Sequence, residues 1–281
     1  MVRLNLSSFK KLFQEPHTSS LTLPLVLQIQ EILTENNTMA SRSAKRLDFL
    51  VHEFRATGAI RPDSPDALET ICALNDFLFK EKNFQCTPDS SEPEDFFPGL
   101  VLERRDGCGL ALALIYREIL RRVNVSTAEF VNFPGHFLVK VLYRHQLLFL
   151  DPTDKGCLLK VADLQNRLSQ KFGRNTLLSG TLLETPTDTE IVSKLLLKLK
   201  TIYFEQRDWR RLLAVLDFLV LLHPFGMEEY KERGLLLYQL GFLEEAQMDL
   251  HHFIVRSRPS PEIEKLRKLV THLTNPGVTL I

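Results

Sequence analysis

The chain has 281 residues, of which 44% are hydrophobic and 25% are charged, close to the average of a folded globular protein. This composition excludes a chain that is disordered throughout, since there is enough apolar surface to offset the lost chain entropy. Lys and Arg together number 35, as do Asp and Glu, so the formal net charge is zero. The balance provides no basic field for nucleic acid or an anionic membrane, and we expect neither as a partner.

Signals for membrane insertion and export are weak. The most apolar run, Leu212 to Leu222, is interrupted by Asp217 and is far shorter than the ~20 residues of a transmembrane helix. No apolar segment follows a basic start at the N-terminus. The four cysteines include no CxxC pair, and their spacing indicates reduced thiols. We therefore expect a cytoplasmic protein, and no motif predicts a cofactor or a metal.

Helical periodicity covers residues 1–80. The segments with an apolar face are Leu23 to Leu33, Ser41 to Ala56 and Asp66 to Lys80, with Gly58 as a stop after the second. A polar, proline-rich stretch at residues 86–98 predicts a loop. Gly109 to Val123 is apolar nearly all round at its start, which predicts a central buried helix.

Short strands follow this helix. Ala128 to Phe133 and the alternating run from Phe137 are followed by Leu147 to Leu150, with Tyr143 to Gln146 as the turn of a hairpin. One buried helix that leads into antiparallel strands predicts an α+β fold.

From about residue 188 the pattern is helical again and repeats itself. Tyr203 aligns with Tyr238, Leu213 with Ala246, and Pro224 with Pro259, at offsets of 33 to 35 residues. This spacing matches the ~34-residue tetratricopeptide period. Because each repeat buries its face against a neighbour, we expect these helices to pack on each other or on the α+β domain.

Three residues could carry chemistry. Cys108 begins the buried helix, where the helix dipole favours a thiolate, His136 begins a strand, and Asp151 ends the next strand. In this order they can supply a nucleophile, a base and an orienting carboxylate. Each also has an ordinary structural explanation, as a packed thiol, a turn histidine and a turn aspartate.

The same residues resemble known proteins. Gly107 to Thr153 is similar to the core of transglutaminase-like proteins, in which a helix opens with Cys, a strand bears His, and Asp-Pro-Thr follows on the next strand. From about Leu74 to the C-terminus, the chain more closely resembles the bacterial SirB-one family, also called the UPF-zero-one-six-two family. The matching stretches include Leu74–Phe79, Val101–Arg105, Leu112–Arg122, Val131–Val139 and Leu150–Pro152. That resemblance implies a degenerate transglutaminase-like domain joined to C-terminal tetratricopeptide helices.

The chain departs from both patterns at the helix start. The SirB-one family usually carries Gly-Ile-Pro where this chain has Gly107-Cys108-Gly109, so the resemblance implies no nucleophile. In active transglutaminase-like enzymes an Ala comes four residues after the Cys, and Ala113 would place the nucleophile at Gly109. One helical position is a rotation of ~100°, enough to turn a thiol away from its base.

These observations lead to one hypothesis and two alternatives. The predicted fold is a transglutaminase-like (papain-like) α+β domain at residues 1–185, with its core at about 74–160, followed by an all-α tetratricopeptide-like tail at 186–281. We expect a non-catalytic or weakly catalytic protein that retains a cleft and binds a protein or peptide through the repeats. The candidate cleft residues are Asn132, Gly135 and Gly109.

The first alternative is a cysteine-dependent amide or thioester hydrolase, or an acyl transferase, that uses Cys108, His136 and Asp151. The second is purely structural, with His136 and Asp151 holding the hairpin together. The sequence determines neither the oligomeric state nor the role of residues 1–70.

Overall fold

The computed structural model describes residues 3–14, 20–60, 66–173 and 176–274. The chain divides into two compact units. The first, here called the α+β unit, runs from Glu15 to Leu195. The second, here called the helical unit, combines residues 3–14 with the chain from Leu196 onward.

The described residues are mostly helical. The α-helices are α1 (Ser7–Gln14), α2 (Thr22–Thr34), α3 (Met39–Ala56), α4 (Ala67–Asn75), α5 (Pro98–Arg104), α6 (Gly109–Arg122), α7 (Val161–Phe172), α8 (Asp188–Glu205), α9 (Trp209–Leu222), α10 (Met227–Gln239), α11 (Leu243–Arg256) and α12 (Pro261–Thr274). The strands are β1 (Gln85–Cys86), β2 (Asp106–Gly107), β3 (Glu129–Phe133), β4 (His136–Tyr143), β5 (Gln146–Asp151) and β6 (Cys157–Leu159). Helices around a small antiparallel sheet confirm the α+β prediction.

The sheet places two of the candidate residues at one end of a hairpin. Its antiparallel order is β3-β4-β5-β6, while β1 and β2 form a separate parallel pair. Tyr143 pairs with Gln146, and the two residues between them have positive φ, the conformation of a two-residue hairpin turn. The predicted hairpin is therefore confirmed. His136 begins β4 and Asp151 ends β5, so the register brings both to the end opposite this turn.

The sheet buries both of its faces against helices. Alternate strand residues point to one face, where Leu138 and Phe149 pack against Leu164 and Leu168 of α7. Helix α6 contacts β4, and its residues 111–116 are all buried. A helix that is apolar nearly all round has no solvent face to present, which is why α6 is central, as predicted.

One segment of the α+β unit differs from the sequence prediction. Residues 86–98 were expected to form a polar loop, but Pro93–Phe96 is a 3-10 helix, and Phe96, Phe97 and Asp95 are buried. The two aromatic rings remove apolar area from water, and Asp95 is satisfied by hydrogen bonds from Ser90 and Arg104. The prolines and acidic residues of this stretch predict a polar loop, so the buried turn was not identified from the sequence.

In the helical unit, helices that follow each other in the chain pack against each other. Helices α9, α10, α11 and α12 each contact the next, which is the arrangement of stacked helical repeats. Gly234 of α10 allows close approach, because a Cβ there would lie 2.9 Å from Leu250 of α11. The N-terminal helix α1 belongs to this unit and buries Phe9, whose ring meets Phe218 edge-on at 4.7 Å. Among the described residues, no helix is long and apolar enough to cross a membrane.

Candidate functional site

Cys108 occupies the predicted position at the start of α6, but its environment disfavours the thiolate. The residue is 7% exposed, and its backbone N–H donates to the Asp95 carbonyl at 2.9 Å. Burial raises the pKa of the thiol to about 11, although hydrogen bonds from the N–H groups of Ala111 and Leu110 act in the opposite direction. The helix start favours the thiolate, as expected from the sequence, but desolvation outweighs this effect and the net shift of the pKa is upward.

Asp151 is the best-anchored side chain of the site. It is fully buried, and one carboxylate oxygen accepts hydrogen bonds from the Thr153 N–H at 3.0 Å and the Thr153 hydroxyl at 2.6 Å. The other oxygen accepts from Arg167 Nη1 at 2.5 Å. Burial raises the pKa of Asp151, but these hydrogen bonds together outweigh it, so the pKa lies below its ordinary value. The carboxylate is charged and held by α7.

His136 lies beside this carboxylate without a hydrogen bond to it. Its Nδ1 is 3.7 Å from Asp151 Oδ2, beyond the usual ~3.2 Å limit for an N–H···O hydrogen bond. The imidazole is 37% exposed, whereas the aspartate side chain is 1% exposed. The structure therefore brings His136 and Asp151 together as predicted, but Arg167 rather than His136 is the close partner of the carboxylate.

The structure does not connect the thiol to the imidazole. In the described ranges, the Cys108 side chain makes no hydrogen bond to His136. Cys86 and Asp95 both raise the pKa of the Cys108 thiol through their charges. Cys86 lies on β1, where its register partner is Gly107, the residue before Cys108. A nucleophile needs its base within hydrogen-bond reach, and that link is missing here.

Gly109, the position that the spacing of Ala113 assigns to a nucleophile, faces the aspartate turn. A Cβ on Gly109 would lie 2.6 Å from Thr153 Cγ2, closer than a real contact allows. Thr153 is the residue whose backbone and hydroxyl hold Asp151. A side chain at Gly109 would therefore have to displace the Thr153 methyl group.

The other two predicted cleft residues have structural partners. The side-chain oxygen of Asn132 accepts a hydrogen bond from Lys194 of α8. Gly135 has a φ of +87° in the turn between β3 and β4, and a Cβ there would collide with the Lys171 ammonium. Glycine is favoured at this position because the backbone is left-handed and a side chain packs against it, which explains Gly135 before His136.

Two side chains that hold the aspartate turn, those of Arg167 and Asn75, were not identified from the sequence. Arg167 lies on α7, which had no prediction. Asn75 donates to the Gly156 carbonyl at 2.9 Å and accepts from the Tyr116 hydroxyl at 2.6 Å. A sequence signal for Asn75 was present, because Asn75 falls in Leu74–Phe79, a stretch that matches the SirB-one pattern. Among the described residues, no group of three His, Cys, Asp or Glu side chains could hold a metal ion.

Comparison with known proteins places this geometry in context. The family model described as the transglutaminase-like superfamily matches residues 41–197, and a tetratricopeptide repeat model matches residues 199–271. A UPF0162 protein of Xylella fastidiosa is 28% identical over 74% of this chain and 75% of its own length.

Further relatives agree with this match. A UPF0162 protein of Pseudomonas aeruginosa is 28% identical over 84% of the chain and 85% of its own length. Protein SirB1 of Salmonella typhimurium is 24% identical over 64% of the chain and 66% of its own length. No solved structure matches the chain significantly. The resemblance inferred from the sequence is confirmed.

Proposed function

The chain belongs to the transglutaminase-like superfamily, and on that premise we propose that it is a non-catalytic scaffold whose repeat helices bind a protein or peptide partner. The observation that carries the proposal is an apolar groove in the helical unit, within the segment that matches tetratricopeptide repeats. Stacked helical repeats present such grooves as binding surfaces for peptides.

The groove lies among α8, α9 and α10. Its volume is about 440 Å³, and its floor includes the buried side chains of Leu212, Leu216 and Leu236. Phe204 is 62% exposed, and its ring meets the ring of Trp209 edge-on at 6.0 Å. Exposed aromatic rings beside an apolar floor are typical anchors for a bound segment, because they offer large contact area at low entropic cost.

The two charged residues of the groove neutralise each other. Lys200 Nζ donates to both carboxylate oxygens of Glu232, at 2.9 and 2.7 Å. The remaining polar lining residues, Thr201 and Gln239, are uncharged. A groove of this kind favours a segment that inserts apolar side chains, and the ion pair supplies hydrogen-bonding capacity at the edge.

A buried ionic network supports the rigidity of the repeat helices. Arg233 of α10 donates to Asp249 of α11 at 2.6 and 2.7 Å and to Asp217 of α9 at 2.9 Å. Both aspartates are buried, and Arg3 also pairs with Asp217. A network that joins three helices fixes their spacing, which keeps the groove preformed and reduces the ordering cost of binding.

The site around Asp151 supports the non-catalytic part of the proposal. A buried thiol with a raised pKa is a poor nucleophile at neutral pH, and Asp151 is occupied by Arg167 and Thr153. The alternative of a cysteine hydrolase or acyl transferase gains no support from this geometry. In the proposal the cleft is a retained structural element, and we also propose that the protein is cytoplasmic.

The test compares groove variants with a matched surface variant. Tagged wild type, Phe204→Ala and Phe225→Ala are each used to recover partners after crosslinking, and recovered proteins are then titrated in purified form. Phe225 is 89% exposed and does not line the groove, so its substitution removes an exposed ring of equal size. We expect one partner to bind wild type and Phe225→Ala, and to bind Phe204→Ala at least about tenfold more weakly, since buried aromatic anchors dominate such interfaces. Equal binding by both variants would contradict the groove as the binding site.

A further inference from the structure

A second pocket lies in the α+β unit, and none of its lining residues belongs to the Asp151 site. Its volume is about 360 Å³, at the lower end of the ~300–1,000 Å³ range that is typical of small-molecule sites. Helix α3 supplies one wall, and the end of α5 supplies the other. Nothing in the proposed scaffold function requires this pocket.

The floor of the pocket is apolar, and an exposed ring stands at its edge. Leu50, Phe84 and Leu102 are each less than 10% exposed, at 7%, 3% and 3%, whereas Phe49 is 60% exposed. Residues 46, 49, 50 and 53 recur at helical spacing, so α3 presents one continuous face to the pocket. A bound apolar group would cover the Phe49 ring and the floor together, which favours binding through the hydrophobic effect.

The charges that line the pocket are predominantly positive and lack acidic partners. Lys45, Arg46 and Arg105 are lining residues, and no described carboxylate forms an ion pair with any of them. The one acidic lining residue, Glu53, accepts a hydrogen bond from Lys82 at 2.5 Å and is therefore neutralised. Uncompensated cations around an apolar floor complement an anion that carries an apolar body.

Two of the cationic residues are anchored, Arg46 through its side chain and Arg105 through its backbone. Arg46 Nε donates to the Leu102 carbonyl at 2.9 Å, which leaves its terminal amines available. The backbone of Arg105 is in the left-handed conformation, with φ at +69°. Its N–H donates to the Val101 carbonyl at 2.7 Å, and its carbonyl accepts from the Gln85 N–H at 2.8 Å. Both arginines are therefore carried by hydrogen-bonded segments, one on each wall, so binding an anion requires little rearrangement of the backbone.

We propose that this pocket binds a small amphiphilic anion, namely a carboxylate attached to a short aliphatic chain. The carboxylate is held by Arg46, Arg105 and Lys45, and the chain packs against Phe49 and the apolar floor. Guanidinium groups suit this role because their planar donors match a carboxylate in a bidentate geometry. The site is independent of the peptide groove, so either proposal can fail without the other.

Octanoate is the probe for a first experiment on the full-length protein. Amide NMR shifts are followed during titration, with 1-octanol as the uncharged chain and acetate as the bare carboxylate. We expect saturable shifts at residues 45–53 and 102–105, octanoate binding about tenfold tighter than either control, and weaker binding as NaCl is raised. Absence of saturable shifts, shifts confined to other residues, or equal binding of 1-octanol would overturn the proposal.

Charge variants test the cations directly. Arg105→Gln and Lys45→Gln should each weaken octanoate about five- to tenfold, since a hydrogen bond to a charged group is lost. Arg207→Gln is the matched control. Arg207 is also exposed and has a left-handed backbone conformation, with φ at +56°, but it lies in the helical unit. Lys45 lies on an exposed helix face, so the Lys45→Gln variant is expected to fold normally. Unchanged affinity in both pocket variants would overturn the assignment, as would tighter binding of a Glu-Leu peptide than of octanoate.

Discussion

Replacing Arg167 by Ala tests whether Asp151 is primarily a structural carboxylate. The substitution leaves Asp151 buried and charged, with Thr153 as its remaining close hydrogen-bond partner. Removing one partner of a buried ion pair typically costs ~3–5 kcal/mol. The Arg167 side chain is 27% exposed, so water can reach the vacated space. We therefore expect the free energy of unfolding of the α+β unit to fall by about 2–3 kcal/mol.

The assay must report on the α+β unit alone. The single tryptophan is Trp209, which lies in the helical unit, so its fluorescence follows the wrong part of the chain. Hydrogen exchange of the β4 and β5 amides, measured as urea is raised, reports the unit that contains Asp151.

Arg42→Ala is the matched control for this measurement. Arg42 pairs with Glu103 at 2.8 Å, but its side chain is 58% exposed, so its loss should cost less than about 0.5 kcal/mol. His136→Ala should also cost less than Arg167→Ala, because the imidazole makes no hydrogen bond to the carboxylate. Equal destabilisation of the α+β unit by Arg167→Ala and Arg42→Ala would contradict the assignment of Asp151 as a structural carboxylate.

Four further outcomes can be measured. Alkylation of Cys108, with the other cysteines changed to Ser, should follow a pKa of about 11 and be the same in His136→Ala; a low pKa that depends on His136 would restore the enzyme hypothesis. The pKa of Asp151 is lowered in the folded state. Its contribution to the free energy of unfolding is therefore fully present above the unfolded-state pKa of ~3.9, and it is lost as pH falls through the folded-state pKa. Asp151→Asn should flatten that acid limb in a pH series of unfolding, and an unchanged limb would refute the assignment. Gly135→Ala should lower the free energy of unfolding by about 1–2 kcal/mol, because φ is +87° there, whereas a loss near zero would mean that the turn relaxes. Arg233→Ala removes the partner of buried Asp249 and leaves Asp217 paired with Arg3, and it should cost about 3 kcal/mol, as followed by tryptophan fluorescence; a loss below about 0.5 kcal/mol would show that the network is not stabilising.

Local sequence patterns predict several features of the fold. The apolar start of α6 predicts a central helix because a helix without a polar face must be buried, and residues 111–116 are buried. The alternation before and after Tyr143 predicts the hairpin because side chains of a strand point to opposite faces. The resemblance, the order of Cys108, His136 and Asp151, and the repeat spacing were likewise visible without coordinates.

The chemistry of the site depends on contacts between residues that are distant in sequence. Arg167 reaches Asp151 from α7, and Asn75 reaches Gly156 from α4, and neither pairing leaves a periodic signal. The pKa of Cys108 is set by burial, which depends on the packing of the whole α+β unit and not on the helix start alone. The sequence by itself determined the central helix, the hairpin and the repeat helices, and where the candidate residues lie along the chain. The tertiary structure decided that the aspartate is held by an arginine and that the thiol stays protonated, because both are consequences of desolvation and long-range contact.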